Sequence, residues 1–142
     1  MRVVRLIYKF LMTLVAIAVV VQIGAAGTGA FYAANHLKDD GATFAHHGWD
    51  HAWSFHSGFG YTVVLAILIA LVLALAARVG RPRIWFQLGL AVAGILQIVF
   101  AVTGADHPWI GILHPINAFI MLGLAGQIAA REWGAGAHAA TA

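Results

Sequence analysis

The sequence contains no cysteine. This excludes a disulfide, a thiolate metal ligand, an iron–sulfur cluster and a covalently attached c-type haem. Charged residues are also scarce, at 9% of the 142 residues, whereas soluble domains carry about 25%. With 62% hydrophobic residues, a chain of this length has more apolar surface than one core surrounded by water can bury. The sequence therefore predicts a protein whose main surroundings are a lipid bilayer.

Four stretches are almost free of charged residues over the length of about 20 residues that a helix needs to cross a membrane. We predict spans near 7–34, 53–78, 84–105 and 112–131. Helices satisfy their own backbone hydrogen bonds in lipid, whereas strands need a closed barrel and a period-2 pattern that this sequence lacks. The predicted fold is an all-α membrane protein, a four-transmembrane-helix bundle. It forms a single domain over residues 1–133, followed by a disordered cytoplasmic tail over residues 134–142.

Positive side chains gather on one side of the predicted bundle. These are Arg2, Arg5, Lys9, Arg78, Arg81, Arg83 and Arg131. The predicted loops on the opposite side contain only Lys38. Cytoplasmic loops of membrane proteins are enriched in Lys and Arg, so we predict that both termini lie in the cytoplasm. The net charge of +3 is thus related to orientation in the membrane and does not indicate a nucleic-acid partner.

A short pattern occurs twice in the chain. Residues 22–30 read QIGAAGTGA and residues 97–105 read QIVFAVTGA, which share the pattern Q-I-x-x-A-x-T-G-A. Each copy ends an outward-running span, and a histidine lies near the start of the next span. We interpret the chain as two tandem helical hairpins, residues 5–78 and 84–131. Because both hairpins run in the same direction, a pseudo-twofold axis along the membrane normal would relate them.

The two histidines inside the predicted spans are the main candidate ligands. The pseudo-twofold axis places His56 and His114 at similar depth on opposite sides of the bundle. Ionisable residues within membrane helices usually face the bundle interior. Haem iron takes two axial imidazoles, and its apolar ring fits between helices. Gly60 and Ala118 each follow a histidine by one helical turn and would leave room for that ring. The pattern therefore predicts a bis-histidine haem b site.

Polar residues of the repeat are candidates for supporting this site. The repeat pairs Gln22 with Gln97, and Thr28 with Thr103. We expect these side chains to hydrogen-bond the haem propionates or to orient the imidazoles, as groups behind metal ligands do. The alternative is that the glutamines only join helices, which amide side chains commonly do in membranes.

The predicted outer loop, residues 36–52, contains a second histidine cluster, HHGWDH. His46, His47, Asp50 and His51 have the i+3 and i+4 spacings of a helical metal site. They are candidate ligands for zinc or copper. The alternative is a solvated loop whose histidines titrate near neutral pH.

The segment LHPINAFIML resembles a small family of bacterial four-helix membrane proteins that has no assigned activity. More distantly, each hairpin resembles a hairpin of haem A synthase, in which Gln…Thr-Gly ends one helix and His begins the next. That resemblance implies that His56 and His114 are axial ligands of a b-type haem near the outer face of a bacterial cytoplasmic membrane. In that family an arginine often follows the histidine, whereas this chain has Ser57 and Pro115 at those positions. The outer half of the bundle also contains no glutamate, since the only one, Glu132, lies at the cytoplasmic end. The resemblance therefore implies haem binding without haem oxidation.

The function that these patterns predict is a haem b membrane protein for electron transfer or haem handling, alongside a larger respiratory or other membrane complex. Two axial histidines leave no open position on the iron, which disfavours oxygen chemistry. The alternatives are a cofactor-free structural or assembly subunit, and an outward-facing protein that binds zinc or copper or senses pH. The sequence shows no nucleophile triad, phosphate loop or intramembrane carboxylate pathway, so it predicts no catalytic residue.

Overall fold

The computed structural model describes residues 2–39, 42–43 and 46–139, without the side chains of residue 46 and residues 135–139. Its helices are α1 (Arg2–His36), α2 (His46–Ala76), α3 (Arg81–Asp106), α4 (Pro108–Gly111) and α5 (Leu113–Ala139). Four of them, all but the short α4, are long and apolar enough to cross a membrane. The prediction of an all-α four-helix membrane bundle is confirmed.

The helices extend beyond the predicted spans at both ends of the bundle. The helix α2 already begins at His46, so the HHGWDH segment forms its first turns and does not belong to a loop. The polarity of this segment suggested a loop, although its histidine spacing is helical. At the other end of the chain, α5 continues to Ala139, into the stretch predicted to be a tail. Alanine has the highest helix propensity, which favours this extension; residues 140–142 lie outside the described part.

The four long helices form a square in cross-section. The helix α1 packs against α2 and α5, and α3 packs against the same two helices. The two diagonals of the square are therefore α1 with α3 and α2 with α5. Inward-facing residues of α2 and α5 consequently lie opposite each other across the middle of the bundle.

Apolar side chains cover the outside of the bundle. Leu14, Ile17, Val72 and Val102 are each more than half exposed. On a water-soluble monomer, apolar patches of such extent are rare. This surface and the length of the helices indicate a multi-pass protein in a lipid bilayer.

One end of the bundle, which we call the arginine end, comprises the start of α1, the turn between α2 and α3, and the end of α5. The carboxylate of Glu132 is buried there, with only 1% of its side chain exposed. Arg5 Nε donates a hydrogen bond to Oε2 over 3.2 Å, and Arg83 Nε lies 3.3 Å from Oε1. This clamp joins α1, α3 and α5 through one carboxylate.

A second polar contact lies just inside the clamp. The hydroxyl of Tyr8 donates to Oε1 of Gln87 over 3.1 Å, and Nε2 of Gln87 donates to the carbonyl oxygen of Ile67 over 3.2 Å. Both side chains are fully buried. Met12, Val15 and Leu90 fill the space next to them. The arginine half of the bundle is thus closely packed, and open space lies in the other half.

Candidate functional site

A cavity of about 330 Å³ lies between the four long helices, in the half of the bundle away from the clamp. Its lining includes Gln22, His56, Gly60, Gln97, His114 and Ala118. Its remaining walls are mainly apolar. Tyr61 and Phe119 line it as well and are 58% and 63% exposed, so the cavity reaches the outer surface of the bundle. Its volume falls within the range of small-molecule sites, about 300–1,000 Å³.

Two histidine rings approach each other across this cavity. His56 lies on α2 and His114 on α5, which are diagonal partners in the square. Their ring centroids are 5.9 Å apart, and the ring planes meet at 69°. The geometry is that of two imidazoles on opposite walls of one space.

Nδ1 of each histidine ring contacts a backbone carbonyl oxygen of a neighbouring helix. Nδ1 of His56 lies 3.2 Å from the carbonyl oxygen of Gln22, and Nδ1 of His114 lies 3.0 Å from that of Gln97. A neutral imidazole that donates from Nδ1 keeps its lone pair on Nε2. The two backbone contacts therefore favour the tautomer in which Nε2 is available as a metal ligand.

The side-chain amides of Gln22 and Gln97 have different hydrogen-bond partners, although their backbone carbonyl oxygens make equivalent contacts. Gln22 Nε2 donates to the carbonyl oxygen of His56 over 2.8 Å. Gln97 Nε2 instead lies 3.2 Å from Nε2 of His114, to which its amide donates. Asn117 Nδ2 donates to Oε1 of Gln97 over 2.6 Å and to the carbonyl oxygen of Ala93 over 2.8 Å. The imidazole of His114 thus has an internal partner for its lone pair.

The two small residues that follow the cavity histidines by one helical turn lie in the cavity wall. Gly60 and Ala118 both line the cavity. A Cβ atom added at Gly60 would lie 2.9 Å from Nε2 of Gln22. The missing side chain at Gly60 thus allows Gln22 to reach the carbonyl oxygen of His56.

The predicted threonines do not line this cavity. Thr28 donates its hydroxyl to the carbonyl oxygen of Ala25 over 2.8 Å, and Thr103 donates to that of Val99 over 2.7 Å. Both hydroxyls are therefore bonded within their own helices. Backbone carbonyl oxygens contact Nδ1 of both imidazoles, and the Gln97 amide also contacts Nε2 of His114. A contact made by a backbone carbonyl oxygen leaves no residue pattern in the sequence.

The glycines of the repeat have equivalent positions in the two hairpins. A Cβ atom at Gly29 would lie 2.8 Å from the carbonyl oxygen of Ala52 and from the ring of Trp53. One at Gly104 would lie 2.5 Å from Cα of Gly111. Trp53 and Gly111 each precede the cavity histidine of their hairpin by the same number of residues. The two hairpins therefore repeat both the glycine contact and the histidine contact.

The outer histidine cluster lies on the first turns of α2. The ring centroid of His51 is 5.1 Å from that of Tyr32, which is 4.1 Å from that of His36. Among the described side chains, no group of three His, Asp or Glu could hold a metal ion. The side chain of His46 lies outside the described part, so the site of His46, His47, Asp50 and His51 stays a prediction.

Two residues near the cavity were not singled out from the sequence. Asn117 is the only asparagine within the four predicted spans, and this could have marked it as a candidate site residue. The ring of Trp53 contacts that of His56 at a centroid distance of 6.0 Å. Its Nε1 is buried without a hydrogen-bond partner in the described part of the chain. Tryptophan is common at membrane interfaces, so the sequence alone does not predict that Trp53 contacts His56.

Comparisons of the chain with protein-family models, with curated proteins and with solved structures found no match.

Proposed function

We propose that this protein binds one haem b between His56 and His114 in the membrane and serves electron transfer or haem handling. The observation that carries the proposal is the pair of imidazoles on diagonal helices, 5.9 Å apart across a shared cavity. An imidazole–metal bond is about 2 Å long, so two axial rings on one iron have centroids about 6 Å apart. The observed separation agrees with that requirement.

The support behind the rings agrees with the same proposal. Metal-binding histidines usually donate their second ring N–H to a carbonyl or carboxylate oxygen, which fixes ring orientation and tautomer. The carbonyl oxygens of Gln22 and Gln97 lie in that position. The mainly apolar walls suit a porphyrin, and the exposure of the lining residues Tyr61 and Phe119 would allow entry from the bilayer.

The haem would supply one-electron chemistry at its iron, and the chain would hold it without a covalent bond. Non-covalent binding follows from the absence of cysteine. The resemblance of each hairpin to haem A synthase favours the same ligands. We further propose a bacterial cytoplasmic membrane, with the arginine end inside, and a larger respiratory or other membrane complex as the partner.

A visible absorption spectrum of the purified protein, oxidised and then reduced, tests the proposal. We expect a low-spin bis-histidine spectrum with stoichiometric haem. His56→Ala and His114→Ala should each abolish or convert that spectrum, because each removes one axial ligand. His107→Ala is the matched control, since His107 does not line the cavity. Wild-type protein that retains no haem, or an unchanged spectrum in both cavity variants, would refute the assignment.

The outer histidines provide a further test of the ligand assignment. Replacing His46, His47 and His51 together with glutamine should leave the haem spectrum unchanged, because the proposed ligands are His56 and His114, and the described side chains of His47 and His51 do not line the cavity. If the cluster binds zinc or copper, or senses pH, the same variant should bind those metals more weakly. Loss of haem from this variant, at normal expression, would show that the wrong histidines had been assigned.

The second candidate function is a cofactor-free structural or assembly subunit. The observation that favours it is the contact between Gln97 and His114, which satisfies the imidazole without a metal. This candidate predicts no haem spectrum, and it predicts that His114→Ala only lowers thermal stability. The spectrum of the wild-type protein therefore separates the two functions.

A further inference from the structure

The two cavity histidines differ at the nitrogen that would face a metal. Nε2 of His114 has the amide of Gln97 at 3.2 Å. Nε2 of His56 has no hydrogen-bond partner within the described part of the chain. The pseudo-twofold symmetry of the repeat is thus broken at the ligand atoms, where the chemistry would take place.

Asn117 fixes the orientation of the Gln97 amide. The carbonyl oxygen of Ala93 can only accept, so the atom of Asn117 that contacts it must be the nitrogen. That nitrogen also contacts Gln97, whose facing atom must therefore be the oxygen. The amide nitrogen of Gln97 is consequently the atom that faces His114. This assignment follows from the hydrogen-bond network and does not depend on distinguishing the two atoms by position alone.

This difference matters when an axial ligand leaves the iron. A detached imidazole exposes a lone pair, which is costly in an apolar cavity unless a donor is at hand. His114 has such a donor in Gln97, whereas no described residue donates to Nε2 of His56. Detachment of His114 is therefore the easier of the two.

We propose that the haem site holds His56 as its permanent ligand and exchanges His114 for a small neutral π-acceptor ligand such as carbon monoxide. The inference rests on the proposed haem function and adds a binding position to it. Gln97 is a positioning residue in this exchange, because it binds the detached imidazole and does not touch the incoming ligand. No electron is transferred in the exchange: one iron–nitrogen bond breaks and one iron–carbon bond forms.

Titration of the reduced, haem-loaded protein with carbon monoxide tests this proposal. Gln97→Leu removes the amide but keeps the backbone carbonyl oxygen that holds Nδ1 of His114. We expect its affinity for carbon monoxide to fall about fivefold to tenfold, the ratio that corresponds to one net hydrogen bond. Asn117→Ala should act in the same direction, because the amide of Gln97 then loses its fixed orientation. Gln127→Leu, on the exposed face of α5, is the control without effect.

The repeat provides a comparison within the same molecule. Gln22→Leu changes the equivalent glutamine, whose amide contacts a carbonyl oxygen and not an imidazole nitrogen. Its effect on carbon monoxide affinity should be several times smaller than that of Gln97→Leu. Equal effects, an increase in Gln97→Leu, or no carbon monoxide binding by the wild-type protein would overturn the inference. In each of those cases a normal low-spin spectrum would leave the proposed function standing, whereas its absence would remove both.

Discussion

At the scale of single residues, the space in the cavity depends on the lack of a side chain at Gly60. Gly60 lines the cavity, and a Cβ atom there would already contact Gln22 at 2.9 Å. We expect Gly60→Leu to fill the space next to His56. Overpacking of this kind costs about 1–3 kcal/mol, so haem affinity should fall about fivefold to 150-fold. The molar ratio of haem to purified protein measures the effect.

Gly58 is the matched control for this substitution. It lies on the same helix, but a Cβ atom there meets nothing within 4 Å. Gly58→Leu should therefore retain haem at the wild-type level. A loss of haem from Gly58→Leu as large as that from Gly60→Leu would mean that helix distortion, and not filling of the cavity, causes the loss.

The sequence predicted the histidine pair through the repeat, but it could not predict the difference between the two members. The repeat makes Gln22 and Gln97 equivalent, and both backbones do contact the expected histidine. The side chains differ because Asn117 captures Gln97, whereas Phe59 occupies the equivalent position of the first hairpin. A hydrophobic residue offers no such partner, so the symmetry fails at the amides.

At the scale of helices, glycine contacts set the spacing within each hairpin. Gly104 faces the backbone of Gly111, where a Cβ atom would lie only 2.5 Å from Cα. Because backbone cannot move aside as a flexible side chain can, Gly104→Ala should destabilise the bundle by about 1–3 kcal/mol. Thermal unfolding in detergent, followed by circular dichroism, measures this loss. Gly27→Ala enters open space and should be neutral or slightly stabilising; equal stability of the two variants would contradict the prediction.

The helix boundaries show where local sequence is informative. The charge-free spans predicted the four long helices because lipid requires helices of that length. The start of α2 was not predictable in the same way, since HHGWDH is polar and hydropathy marks only the apolar part of a helix. Likewise, Glu132 was placed at the cytoplasmic end but without its two arginine partners. Such partners depend on which helices are neighbours, and hydropathy alone does not determine that.

At the scale of the whole molecule, charge divides the bundle into two ends. The arginine end carries all the basic Lys and Arg side chains of the chain except Lys38. Following the positive-inside rule, we predict that the turn around Arg81 and both termini face the cytoplasm. Reporter fusions after Arg81 should give a cytoplasmic signal, and fusions in the loop between α1 and α2 should give an external one. An external signal at Arg81 would contradict this prediction and indicate the opposite orientation in the membrane.

The clamp at the arginine end also has a consequence for biogenesis. Arg5 and Glu132 are separated by 127 residues, so all four long helices are synthesised before the two side chains meet. A chain emerges from the ribosome with its N-terminal helix first, and α1 therefore waits in the membrane until α5 is inserted. The helix that brings Glu132 to Arg5 also brings His114 to His56. Completion of the histidine pair and closure of the clamp thus belong to the same insertion event, and a nascent chain with only three long helices inserted has one histidine in an open-sided cavity.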